Sequence, residues 1–365
     1  MSEDFGPVAG LVLRGSGQLQ LEVFPYPVLR GQDATLRVEA TGLCGSDLAR
    51  YNGSRGELPP MILGHEIAGT IEMILPEASD RWQVQAGDRV VVEEALPCGV
   101  CRYCASGRHR LCTNSGLRFG ATSVDVAPAL WGGFAEVLYL HPWSRVHRVP
   151  DGVSADHATL YIPLSNAYGW LVDSGEFRAG EHVVVLGSGL HGICTAIVAT
   201  KLGAGSVTLV GRQGDQRRLA YATTQGVRTL DCGSGPETVD QIRESLGEGA
   251  DVVVDLVPGP QQGIADDIAL VRRGGRVVVA GVKTQDTAVT VPSLDFLSKE
   301  ITVRGVWARP DWAVAWSLEL LAREEALSDL VEAAHSLGEV EEALLAMQGG
   351  DRRPLHSVVN PSDGR

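Results

Sequence analysis

Seven cysteines stand at 44, 98, 101, 104, 112, 194 and 232, and four of them fall within fifteen residues. The run Cys98-Gly-Val-Cys101-Arg-Tyr-Cys104, followed by Cys112, leaves gaps of two, two and seven residues. One short loop over 95–115 can then turn four thiolates toward a common point, the tetrahedral arrangement that zinc takes with Zn–S bonds near ~2.3 Å. Four thiolates leave no open coordination position, so a metal held this way is structural; an iron–sulfur cluster is the competing use of the same ligands. The odd count and the clustering argue against a disulfide framework. Cys194 and Cys232 stand alone and read as small buried apolar residues.

A second constellation is Gly42-Leu43-Cys44-Gly45-Ser46-Asp47 followed by Gly64-His65-Glu66. One thiolate, one imidazole and one carboxylate suit zinc with an exchangeable fourth position, which is the pattern of a catalytic site. Between them lies a polar, locally positive loop with Arg50, Tyr51, Asn52, Ser54 and Arg55.

The third signal is a nucleotide turn. An apolar strand, His182–Leu186, runs into Gly187-Ser188-Gly189-Leu190-His191-Gly192 and then into the helical stretch 193–204. In that strand–turn–helix context Gly187 permits the turn, Gly189 lets the backbone approach a pyrophosphate, and Gly192 allows close helix-to-strand packing, with Leu190 opening the helix. After the next strand, 206–210, the acidic residue that would grip the adenosine ribose is replaced by Gly211-Arg212. Arg212, with Arg217 or Arg218, suits a 2′-phosphate, so NADP is favoured over NAD, although Asp215 is near enough in sequence to reach a ribose. Further strands at 251–255 and 275–281, alternating with helices at 214–225, 237–246 and 260–272, complete an α/β doubly wound parallel sheet.

The whole chain has 365 residues and a formal charge of −14, which excludes a basic nucleic-acid binder. With 44% hydrophobic and 21% charged residues it can bury two domain cores. It has neither a long apolar run nor an N-terminal leader pattern, so a cytoplasmic protein without membrane partners is expected.

These motifs, in this order, resemble the zinc-dependent medium-chain alcohol dehydrogenases of the sorbitol and threonine dehydrogenase type. Gly132-Gly133-Phe134-Ala135-Glu136 and Val149-Pro150-Asp151 extend the resemblance over nearly the whole chain. It implies a partly open β-barrel (GroES-like) catalytic domain from 1–163 and 308–365, a Rossmann NAD(P)-binding domain from 164–307, and an active site in the cleft between them. Cys44 and His65 then match catalytic zinc ligands, Glu66 a residue that ligates zinc in the sorbitol-type members and sits just behind it in others, Ser46 the proton relay, and Asp47 the carboxylate that orients the ligand histidine. Gly281 and Val282 join the cofactor residues, and His356 matches a basic residue near the cofactor. The 301–306 strand matches an edge strand that pairs across a homodimer or homotetramer. The stretch from Trp312 to Met347 reads as two amphipathic helices.

Two positions depart from the family pattern. Ile162 occupies the place of a further metal ligand or nearby carboxylate, leaving Cys44, His65 and Glu66 to hold zinc with solvent or substrate as the fourth ligand. Ala49 replaces a relay histidine. The expected reaction is reversible hydride transfer between nicotinamide and the carbon of a small alcohol or carbonyl substrate. Arg50 and Arg55 favour a polyol, amino alcohol or acid-bearing alcohol; Phe119, Trp131 and Asn166 are further candidates for the pocket. The alternatives are a zinc-free reductase of quinones or activated double bonds, opposed by retention of Cys44 and His65, and a non-catalytic thiol or zinc sensor, opposed by the intact nucleotide turn.

Overall fold

The computed structural model of the protein describes residues 5–232, 236–259, 263–283, 291–350 and 353–362. Its strands are, in order, β1 (Val8–Gly15), β2 (Gln18–Phe24), β3 (Ala34–Gly42), β4 (Met61–Ile62), β5 (Glu66–Ile74), β6 (Arg89–Val92), β7 (Val137–Leu140) and β8 (Val146–Arg148). The remaining strands are β9 (His182–Leu186), β10 (Ser206–Arg212), β11 (Arg228–Cys232), β12 (Ala250–Asp255), β13 (Val271–Val279), β14 (Thr302–Gly305), β15 (Val331–His335) and β16 (His356–Val359). The chain divides into two units, one of Met1–Ile162, Val314–Gly349 and Arg353–Arg365, the other of Pro163–Ala313 and Gly350–Arg352.

The first unit is the GroES-like β-domain. β3 is its spine, paired antiparallel with β5, β7 and β16 in a sheet ordered β15-β16-β3-β5-β6-β8, while β2-β1-β4 form a smaller sheet. Ala34, Leu36 and Val38 alternate along β3 and are fully buried, the period expected of a strand with one face on a core. Phe119, Trp131 and Phe134 fill that core together with Ile62, Leu63 and Ile67. β15 is a difference from the sequence reading: the segment between the two C-terminal helices, Trp312–Arg323 and Val340–Ala346, pairs parallel with β16. The segment after Cys44, read as a loop, forms the helix Gly45–Tyr51.

The second unit is a Rossmann domain. Its six parallel strands follow the order β11-β10-β9-β12-β13-β14, so the chain reverses direction across the sheet between β9 and β12. Val183–Val185 and Val252–Val254 are at most 1% exposed, as strands covered on both faces must be. The helix expected over 260–272 spans Ile264–Leu270, and 260–262 lie outside the described residues. β13 starts at Val271, earlier than expected, because Val271 pairs with Ala250 ahead of an irregularity in the ladder. β14 lies at the sheet edge. Among the described residues no helix is long and apolar enough to cross a membrane.

Candidate catalytic metal centre and nucleotide turn

Cys44 is the N-cap of the helix Gly45–Tyr51, and Asp47 one turn on reaches back to it: Asp47 Oδ2 accepts the Cys44 N–H at 3.0 Å. The other oxygen of Asp47 lies 3.4 Å from His65 Nδ1 and accepts the Gly64 N–H at 3.4 Å. One carboxylate, 0% exposed, therefore fixes both the start of the helix and the plane of the imidazole. With Nδ1 turned to Asp47, Nε2 is left for a metal, and Ser46 Oγ stands 3.4 Å from it.

The electrostatics favour a cation. Burial alone would lower the pKa of His65, but Asp47 and the Cys44 thiol outweigh it and hold the ring well above the ordinary histidine range. Burial would likewise raise Asp47, and the His65 ring, Arg50 and the Cys44 N–H together bring it below the usual carboxylate value.

Glu66 opens β5, opposite Gly42 of β3. A Cβ at position 42 would lie 2.3 Å from Glu66 Oε2 and 2.7 Å from His356 Cε1, so glycine is required there to admit both side chains. His356, on β16, has its Nε2 3.0 Å from Thr159 Oγ1 and 3.9 Å from Glu66 Oε2. His356 thus meets the Glu66 carboxylate and a threonine of its own unit. The Gly132-Gly133-Phe134 motif also acquires a role, since Gly133 and Phe134 donate their N–H groups to Gly64 O and Leu63 O and brace the strand end that carries His65.

The sulfur of Cys44, a ring nitrogen of His65 and a carboxylate oxygen of Glu66 lie within 4.8 Å of one another. Zinc with bonds of ~2.0–2.3 Å spans donor-to-donor edges of roughly 3.3–3.8 Å, so the three fit its coordination sphere after small side-chain adjustments and leave one position open. Ile162, 4% exposed, offers no ligand atom.

Cys98, Cys101, Cys104 and Cys112 also have their sulfurs within 4.8 Å of one another, at 3.5 Å for Cys101–Cys104 and 3.9 Å for Cys101–Cys112. A tetrahedral zinc with four sulfurs at ~2.3 Å has edges of ~3.8 Å. Donors are already aimed at the sulfurs: the Cys98 N–H at Cys112 Sγ, 3.3 Å, and Asn114 Nδ2 at Cys98 Sγ, 3.6 Å. The Cys104 and Thr113 N–H groups hold Cys101 down to about 5, while burial and the neighbouring Cys101 thiol push Cys104 up to about 12, so the four sulfurs become thiolates together only with a cation among them.

In the second unit, the glycine turn joins β9 to the helix Leu190–Lys201, with Gly189 as N-cap. A Cβ on Gly192 would lie 1.7 Å from Gly187 O, which no side chain survives, whereas nothing lies within 4 Å of a Cβ on Gly189. The first makes the close packing and the second leaves the approach to the helix N-terminus open. At the end of β10, Gly211 packs against Ser188 and Leu219. Arg212 and Arg217 are exposed beside it. Asp215 is 7% exposed and accepts from Ser188 Oγ at 2.6 Å and from the Arg212 N–H at 3.2 Å, so its carboxylate is committed to tying two loops together. Arg218 lies in the floor, donating to Ser188 O. Gly281 and Val282 follow β13, the former against Val257 O.

The pocket candidates divide. Asn166 comes to the nucleotide turn, its Nδ2 3.0 Å from Nε2 of His191, a residue not singled out from the sequence, whose ring stacks on Trp170. Phe119 and Trp131 are 2% and 1% exposed, and the Trp131 indole donates to Val126 O, so both serve the β-domain core. Arg50 donates to Ser46 O, and Tyr51 is buried with its hydroxyl on Glu341; Arg55 is exposed.

A β-domain that gathers Cys44, His65 and Glu66 as three donors able to hold a metal, with a four-cysteine cluster and a Rossmann domain in the same chain, has the parts of a zinc-binding dehydrogenase. Family models agree: the alcohol dehydrogenase GroES-like domain matches residues 30–151 and the zinc-binding dehydrogenase domain residues 192–323. The chain belongs to the zinc-dependent medium-chain alcohol dehydrogenase family and is an oxidoreductase. A protein of Mycobacterium tuberculosis named as a probable alcohol dehydrogenase is 37% identical over 98% of this chain and 100% of its own length. The D-xylulose reductase A of Aspergillus oryzae is 29% identical over 93% of each chain. Among solved structures, an alcohol dehydrogenase from Thermus sp. ATN1 superposes with TM-score 0.85 at 27% identity, covering 97% of this chain and 99% of that one.

Proposed function

We propose that the protein interconverts a polar primary or secondary alcohol and its aldehyde or ketone by hydride transfer, using zinc held by Cys44, His65 and Glu66 and preferring NADP to NAD. The observation that carries this reading is the convergence of those three donors with Asp47 locked behind His65. When bound, zinc at this set supplies a Lewis acid for the substrate oxygen, and the nicotinamide supplies the hydride acceptor or donor. Cys44 and Glu66 carry the two negative charges that balance the ion. Asp47 fixes the imidazole and makes it the better ligand. Ser46, beside His65 Nε2, takes the hydroxyl proton, and with alanine at 49 the proton passes on to the cofactor's ribose hydroxyls and solvent without a second imidazole on that helix.

A polar substrate is supported by Arg50 and Arg55 near the metal-ligating helix in a chain of net charge −14. The Aspergillus relative is itself named for a ketose. The rate of nicotinamide reduction with a panel of polyols, amino alcohols, hydroxy acids and simple aliphatic alcohols tests this; aliphatic alcohols turning over fastest would refute it. We further assign the protein to the cytoplasm as a homodimer or homotetramer, with the edge strand β14 as the pairing element.

The NADP preference rests on two exposed arginines, Arg212 at the end of β10 and Arg217 in the helix Gln216–Thr224 that follows, and on an acidic residue, Asp215, that is turned inward. Losing one charge-assisted hydrogen bond costs ~1.5–3 kcal/mol, so Arg212→Ala should reduce kcat/KM for NADP by about 10- to 100-fold and leave NAD within about twofold. Equal losses with both cofactors would refute the assignment.

A further inference from the structure

At the carboxyl ends of β12 and β13 lies a buried charge cluster with no place in the metal chemistry. Lys283 Nζ is 2.7 Å from Asp255 Oδ2 and donates to Val257 O at 2.7 Å. Asp255, 0% exposed, also accepts the Val257 N–H at 2.9 Å, and its carbonyl accepts from Ala280 and Gly281. Asp267, from the helix Ile264–Leu270, is also 0% exposed and has no hydrogen-bond donor directed at either carboxylate oxygen among the described residues. Lys283 forms its ion pair with Asp255, so the second buried carboxyl, Asp267, is balanced when it keeps its proton.

The place matters more than the charges. The sheet reverses between β9 and β12, and in open α/β sheets the ligand crevice lies beyond the carboxyl ends at that point. The loop after β12 borders the nucleotide turn, since Leu256 donates its N–H to Leu186 O and a Cβ on Gly187 would sit 3.5 Å from Leu256. Lys283 lies four residues beyond β13, and the stretch before it is held to the segment after β12 again by Gly259 N–H on Val282 O. Arg212 marks the adenosine side at β10, so these two loops flank the opposite, nicotinamide side.

We propose that Lys283, Asp255 and Asp267 form a buried latch that holds residues 256–259 and 280–283 in the arrangement that receives the nicotinamide end of the cofactor, with Lys283 as its positioning residue. The proposal rests on the dinucleotide reading above. The groups that face Asp267 are Asp255 on β12, Asp266 on its own helix and Lys283 after β13. Burial, then Asp255, pushes the Asp267 carboxyl up to about 8. Below that pH the latch is balanced; above it a second buried negative charge competes for Lys283 and the loops loosen. The same proton governs stability. Between the ordinary 3.8 and about 8 the folded state holds a proton the unfolded chain has released, so this group makes stability fall as pH rises through that window and level off above it.

The test is equilibrium titration of the full-length, zinc-loaded protein with NADH or NADPH, whichever binds tighter, and with the matching ADP-ribose, which lacks nicotinamide. Lys283→Met should raise Kd for the dinucleotide by about 10-fold and leave ADP-ribose within about twofold, while Lys283→Arg restores most of the loss. In the wild type, dinucleotide Kd should rise about fivefold or more between pH 7 and 9, and Asp267→Asn, which keeps a donor for Asp255, should remove that step and flatten the fall in denaturation midpoint between about pH 5 and 8. Equal effects of Lys283→Met on both ligands, no effect on either, or a pH step that survives in Asp267→Asn would overturn the latch. A wild type that binds neither ligand would overturn the dinucleotide reading itself, and the latch with it.

Discussion

Replacing His65 by alanine is expected to lower kcat/KM for alcohol oxidation by about 10³-fold or more, with the affinity for the nicotinamide cofactor changed by less than about twofold. The expectation follows from the number of donors. Ile162 supplies none, so the proposed centre rests on three donors, and removing one would leave a thiolate and a carboxylate to hold the ion. The loss also strands Asp47, a fully buried carboxylate that would face an empty space where the imidazole stood. Steady-state kinetics with parallel fluorescence titration of the cofactor separates the two quantities. Activity within tenfold of the wild type would mean that the metal does no chemistry here and that the zinc-free reductase reading applies.

The second large effect belongs to the cysteine lobe. Cys104→Ala should abolish metal binding at the lobe, leave the Cys44 site loaded, and lower the thermal midpoint by about 10 °C or more. Structural zinc contributes ~10–16 kcal/mol of apparent binding energy in small isolated domains, and even a fraction of that is several kcal/mol to a chain whose midpoint moves a few degrees per kcal/mol. The lobe has little else to hold it: its helix Arg102–Ala105 is four residues long, and Val100 is 82% exposed. Differential scanning fluorimetry with zinc analysis reads both outcomes. An unchanged midpoint would make the four cysteines a passive loop.

How far these sites could be read in advance depended on distance along the chain. The spacing of Cys98, Cys101, Cys104 and Cys112 is local, and so is the glycine turn, where a Cβ on Gly192 meets Gly187 five residues away. Cys44, Asp47 and His65 were legible because the helix that begins at Cys44 brings Asp47 back to its own cap. What stayed hidden came from remote partners. β15 has the composition of a helix, Val-Glu-Ala-Ala-His, and becomes a strand only because β16 lies beside it and β16 in turn pairs with β3. His356 reaches Thr159 across 197 positions, and Lys283 finds Asp255 from a different strand end. Asp215 illustrates the reverse failure, being near enough in sequence to grip a ribose yet turned inward to Ser188. Phe119 and Trp131 flank the metal-site segments in sequence, but their size and lack of charge place them in the core.

The measurement that bears most directly on the centre formed by Cys44, His65 and Glu66 is zinc per subunit, by elemental analysis of the wild type and of Cys44→Ala. About two zinc ions are expected in the wild type and about one in the variant, the survivor held by the four-cysteine lobe. About one in both proteins would show that the set lacking a ligand at Ile162 holds no metal, and would contradict the zinc-dependent mechanism.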